Sequence, residues 1–158
     1  MTTREQFTDD EWQQASALPG LVVMAASLSD GKMMPSIREL QAGTEVLAAG
    51  AQKYPDNLLL QQLKEGMSAA KEESSEEIKQ DKAGSVAEVV EKLVEEIQES
   101  VDVIKAKVTA DEFFQVREVL EGAASAVVER IGSGFMGSGE KVSESEKAFV
   151  ERLRTILA

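Results

Sequence analysis

The stretch SVAEVVEKLVEEIQESVDVIKAKVTADEFFQVREVLEGAASAVVERI, residues 85–131, decides how the chain folds. Val86, Val90, Leu93, Ile97, Val101, Ile104 and Val108 recur every three or four residues, which is the repeat of one helix face and not of a strand. Ser85 stands before the stripe with Glu88 three residues on, a capping-box pattern that marks a helix start. Thr109 and Glu112 repeat that pattern, so the chain turns and restarts at once. Phe113, Val116, Leu120, Ala124, Val127 and Ile131 then form a second stripe. Two adjacent amphipathic helices with a short corner between them predict a helical bundle. A free coiled coil would need more heptads than this.

Working outward, helix starts follow one another and no strand-length alternation of apolar and polar residues occurs. Phe7-Thr8-Asp9-Asp10-Glu11-Trp12 combines a capping box, Thr8 with Glu11, and a hydrophobic staple, Phe7 on Trp12. It predicts a short first helix from Thr8 to about Ala17. Pro19, Pro35 and Pro55 each precede an apolar-periodic run, the place where proline suits the first helical position. They predict a second helix from Pro19 to Leu28, a third from Pro35 to about Gln52 and a fourth from Pro55. The second is apolar on nearly every face, so it should be the buried central one. The third should bury Ile37, Leu40, Leu47 and Ala51, and the fourth some of Leu58, Leu59, Leu60, Leu63 and Met67. Ser143 and Glu146 open the last helix, which should bury Phe149, Val150, Leu153, Ile156 and Leu157. Lys71 to Lys82, KEESSEEIKQDK, is polar except for Ile78 and reads as an exposed helical extension or a mobile loop. The expected architecture is one all-α domain over 1–158, an irregular compact bundle of about seven helices.

Composition narrows the chemistry. The chain of 158 residues contains no Cys and no His. That excludes disulfides, thiol nucleophiles, zinc fingers and imidazole acid–base catalysis. Seventeen Lys and Arg against 29 Asp and Glu leave a net charge of −12, which repels nucleic acid and anionic lipid. The longest apolar run, Leu21 to Ala26, is far short of the ~20 residues of a membrane span. Met1-Thr2-Thr3-Arg4-Glu5 does not read as a signal peptide, so the expected location is the cytoplasm. Paired carboxylates of a glycosidase kind have no aromatic cleft to serve, since Trp12 and Tyr54 are the sole Trp and Tyr. The chain therefore reads as a non-enzyme.

Gly132 to Gly139, GSGFMGSG, contains G-x-G-x-x-G, but it follows a helix and Glu140 stands where a P-loop has lysine. Both departures argue against a phosphate site. The run reads as an inter-helix loop, with Phe135 and Met136 as a hook into the core or a small exposed contact. Two connections look alike: Ser29-Asp30-Gly31-Lys32-Met33, and Gly139 to Lys147. Each follows an Ala- and Val-rich helix, sets an acid beside Gly and leads into another helix, which suggests a helix–loop–helix pseudo-repeat. Oxygen ligands in such loops could hold Ca²⁺ or Mg²⁺, although Asp-Gly is also a common turn pair.

Ala25-Ala26-Ser27-Leu28-Ser29-Asp30-Gly31 resembles the first motif of the tellurite-resistance TerB-like family. Val142-Ser143-Glu144-Ser145-Glu146-Lys147, with Phe149 to Leu153, resembles its second. The resemblance implies a pseudo-symmetric all-α fold, a role in stress or tellurite response, and divalent cation binding at the acidic loops. The metal candidates it leaves are Asp30, Glu39, Glu140, Glu144 and Glu146, with Glu146 also needed as a cap. Pro35 and Ser36 stand where the family tends to have acids, and a glycine-rich insertion replaces the second Asp-Gly. The alternative expectation is a helical protein-interaction module or homodimer that binds no metal.

Overall fold

The computed structural model describes residues 2–31, 37–62, 85–132 and 143–158. Among them there is no strand. After a short 3₁₀ turn at Arg4–Gln6, α1 spans Asp9–Leu28 and α2 spans Ile37–Lys53. Residues 58–62 are helical and are called α3. α4 spans Val86–Lys107, α5 Ala110–Gly132 and α6 Glu144–Leu157. The all-α bundle expected from the periodicity is what forms. No helix among the described residues is long and apolar enough to cross a membrane.

The caps form as the side-chain chemistry requires. Thr8 Oγ1 accepts from Glu11 N–H at 3.2 Å, and Glu11 Oε2 accepts from Thr8 N–H at 2.9 Å. Phe7 meets Trp12 edge-on with centroids 5.3 Å apart. Ser143 with Glu146 and Thr109 with Glu112 make the same reciprocal bonds. Ser85 Oγ accepts from Glu88 N–H.

Three expectations need correction. The first and second helices are one, α1, with Pro19 inside it, so the described residues hold one helix fewer than the seven expected starts. Pro19 removes one backbone hydrogen bond, to Ala15. A single buried face through Ala15, Leu18, Val22 and Ala25 nevertheless spans the proline, and a continuous helix alone presents those spacings on one side. Pro55 does not open α3. It sits in a turn closed by Asn57 N–H to Tyr54 O at 3.1 Å, and Asn57 is the cap, its Oδ1 accepting from Leu60 N–H at 3.2 Å. Ile37 is 76% exposed, whereas the buried face of α2 is Glu39, Gly43, Leu47, Gly50 and Ala51. Ile37 stands roughly 120° around the helix from Gly43, away from the contact.

That contact explains the packing. A Cβ on Gly43 would lie 3.0 Å from a methyl of Val127 and 2.7 Å from one of Val23, and one on Gly50 would meet Val119. α2 therefore runs antiparallel to α5 at glycine-limited distance. The C-terminal half of α1 is the buried centre, with Val22, Ala25 and Ala26 all at 0% exposure, as its all-round apolarity predicts. α1 packs most extensively on α4, and Lys107 pairs with Glu11 at the far end. The α4 and α5 stripes enter the same core through Ile97, Val101, Ile104, Val116, Leu120 and Val127. α6 closes one side with Phe149, Leu153 and Leu157.

Asn57 is buried and binds three partners: Leu60 N–H, Glu112 O at 3.1 Å and Gln115 Oε1 at 2.9 Å. We expect Asn57→Ala to lower stability by about 1–2 kcal/mol, the cost of a lost cap plus an orphaned carbonyl. A fall in the urea midpoint with unchanged m-value checks this.

Candidate functional site

The two acidic connections start from opposite ends of the chain and their described parts meet. α1 ends through Ser29, whose Oγ donates to Ala26 O at 2.6 Å. Gly31 follows at φ +89°, a left-handed geometry that glycine adopts without a Cβ clash. This turn sets half-buried Asp30 at the rim of a groove of about 370 Å³. The first two turns of α6 form the facing wall through Ser145, Ala148, Phe149 and Arg152. The start of α4 supplies the third side, with Val86, Val90, Glu91 and Val94. Its floor is apolar, through Leu28, Val94 and Phe149, and its rim polar, through Asp30, Glu91 and Arg152.

Arg152 bridges the rim. Its Nη1 and Nη2 donate to Glu91 Oε1 and Oε2 at 2.5 and 3.0 Å, a two-pronged pair that ties α6 to α4. The guanidinium holds the Glu91 carboxyl below the usual carboxylate range, and Glu91 raises Arg152 in turn. Both side chains are about half exposed, so the pair positions the helices more than it stabilises them.

Of the expected metal ligands among the described residues, Asp30 alone lines this groove. Glu39 is buried in the first turn of α2, where its Oε2 accepts from Ser27 Oγ at 2.5 Å. Glu146 is 3% exposed and its Oε2 accepts the Ser143 N–H at 3.1 Å, the capping role anticipated for it. Glu144 is exposed on the first turn of α6. Glu140 lies outside the described residues, as do Phe135, Met136, most of the glycine run, and Lys71 to Lys82. Among the described residues no group of three or more acids is placed to hold a metal ion. Asp30 and Glu144 by themselves do not make the six to eight oxygens that calcium takes.

Sequence reasoning missed the Glu91–Arg152 bridge. Val86 and Val90 were legible as one end of the α4 stripe, but nothing in their spacing says that the stripe runs past the core there and lines a cleft. No known protein family, curated protein or solved structure matches this chain.

Proposed function

We propose that the chain is a non-enzymatic binding protein of the TerB-like, stress-response kind, and that the groove between α1, α4 and α6 is its working surface. One observation carries this reading. The two segments that resemble the TerB-like motifs lie more than a hundred residues apart in sequence and border the same groove, through Leu28 to Gly31 on one side and Ser145 to Arg152 on the other. The lack of His and Cys removes imidazole and thiol chemistry and supports binding over catalysis.

The test is tolerance to tellurite in cells that express the chain. Wild type raises the tolerated concentration, and Val90→Asp, which puts a carboxylate on the groove floor, abolishes the gain while the thermal melt shows a folded protein. No gain with wild type overturns the stress-response reading. An undiminished gain with Val90→Asp removes the groove from it.

A divalent cation is the second reading, favoured by Asp30 at the rim. Titration calorimetry with Ca²⁺ and with Mg²⁺ decides it: saturable heat that Asp30→Asn abolishes supports a cation, and no heat at millimolar metal discards it.

A further inference from the structure

α1 changes character at Pro19-Gly20. Pro19 has no N–H to give Ala15 O, so the helix lacks one rung there. Gly20 beside it is exposed, has no positive φ, and would meet nothing within 4 Å if it carried a Cβ. Neither packing nor a turn calls for glycine at this position. Glycine in a helix interior favours the unwound chain about fivefold more than alanine does. The two weakest helix residues therefore stand together in the middle of the longest apolar element, and the second has no local use.

The chain on the two sides of this point holds different neighbours. Behind it, α1 buries Val22, Val23, Ala25, Ala26 and Leu28, and Val23 reaches the Gly43 face of α2. Ahead of it, α1 buries Ala15 and Leu18 alone. That front part is fastened by Glu11 to Lys107 at 3.1 Å, by Gln14 Nε2 donating to Glu99 Oε2 at 3.4 Å, and by the two Thr2 bonds to Glu112. Its polar partners thus lie at the end of α4 and the start of α5. Since Glu11 meets Lys107 and Gln14 meets Glu99, α1 and α4 are antiparallel, and the front part covers α4 between Glu99 and Lys107. Val101 and Ile104, both fully buried, lie in that stretch.

The front part is also bound within itself. Arg4 Nη1 donates to Phe7 O at 2.9 Å, and the guanidinium stands 5.0 Å over the Trp12 ring, which Phe7 meets edge-on. These contacts span eight residues or fewer and need nothing from the other helices. We propose that Thr2 to Leu18 is a strap hinged at Pro19-Gly20. It opens as one unit and bares Val101 and Ile104 of α4, while α2, α5 and the rest of α1 stay folded. The strap is distinct from the groove, which borders the opposite end of α1.

A detached helix of about ten residues does not hold in water. Opening therefore frees the amides of Gln13 to Leu18 together, and native-state hydrogen exchange in low urea reads it residue by residue. In the wild type, corrected for intrinsic rates, these amides exchange at least about tenfold faster than those of Val23 to Leu28. Their urea dependence is shallower, because a partial opening exposes less surface. Val127→Ala removes two buried methyls beside Gly43 and speeds exchange about tenfold at Val23 to Leu28. It changes the strap less than about twofold, since Val127 stays packed when the strap alone opens. Gly20→Ala slows the strap about fivefold. Equal rates and urea slopes in the two parts, equal acceleration of both by Val127→Ala, or a strap rate that Gly20→Ala leaves unmoved each overturn the proposal.

Discussion

Gly50→Val will lower the stability of this protein by about 3 kcal/mol, the upper part of the range for overpacking a tight contact. An added Cβ at Gly50 would lie 2.4 and 2.5 Å from the two Val119 methyls and 3.0 Å from Val119 Cβ. Methyls can rotate, but Val119 Cβ is fixed to the α5 backbone, so the helices must separate. α2 and α5 share the largest helix contact in the fold, and any separation loosens the whole of it. Helix propensity does not rescue the substitution, because valine is better than glycine in a helix interior by only a few tenths of a kcal/mol. Gly50→Ala should fall between, its ~1 kcal/mol propensity gain offsetting part of the clash. Urea midpoints measure both. The decisive comparison is Gly50→Ala with Val119→Ala: removing the methyls must recover more than the sum of the single changes allows. Additive losses would show that the glycine is not at a packing limit.

Glu112 should give the second largest effect, and it depends on pH. Its carboxylate accepts from Thr2 N–H at 2.7 Å, Thr2 Oγ1 at 2.6 Å, Thr109 N–H at 3.0 Å and Thr109 Oγ1 at 2.9 Å. Partial burial pushes this carboxyl up, but the bonds from Thr2 and then Thr109 outweigh it and bring it down from 4.5 to about 2. A depressed carboxyl stabilises the fold at pH above its unfolded value, and the gain is lost as pH falls through the folded one. The window is therefore pH 4.5 to about 2. The shift corresponds to no more than about 3 kcal/mol, reduced by the partial exposure of Glu112. We expect Glu112→Ala to cost about 2 kcal/mol at pH 7. Its loss of stability between pH 5 and pH 3 should be shallower than wild type by a similar amount. Hydrogen exchange at the Thr2 amide should rise sharply in the variant, because the bond that holds it is gone. An unchanged acid limb would show that the four bonds are not made in solution.

The helices were legible because their signals are local. Capping at Thr8, Thr109 and Ser143 depends on residues three apart, and the stripes of α4 and α5 depend on spacings of three and four. The errors arose where a local rule met a tertiary competitor. Pro19 reads as a start, but Ala15 to Ala25 share one core and the helix runs through it. Ile37 reads as core, but the glycines of α2 set the contact face elsewhere. Glu112 reads as a cap for Thr109, and its second use, holding Thr2 across 110 residues of chain, has no local trace.

The amino-acid sequence by itself determined the all-α class, the caps, the apolar faces of α4, α5 and α6, and the restriction of chemistry to oxygen and amine groups. Each follows from residue type or from neighbours within one helical turn. Tertiary structure alone decided that Asp30 and the start of α6 border one groove, that Glu39 turns inward to Ser27, and that Arg152 closes on Glu91. Those outcomes join residues between 12 and more than a hundred positions apart. Helix packing at glycine-limited distance and the burial of a shared core place them, and no spacing along the chain encodes either.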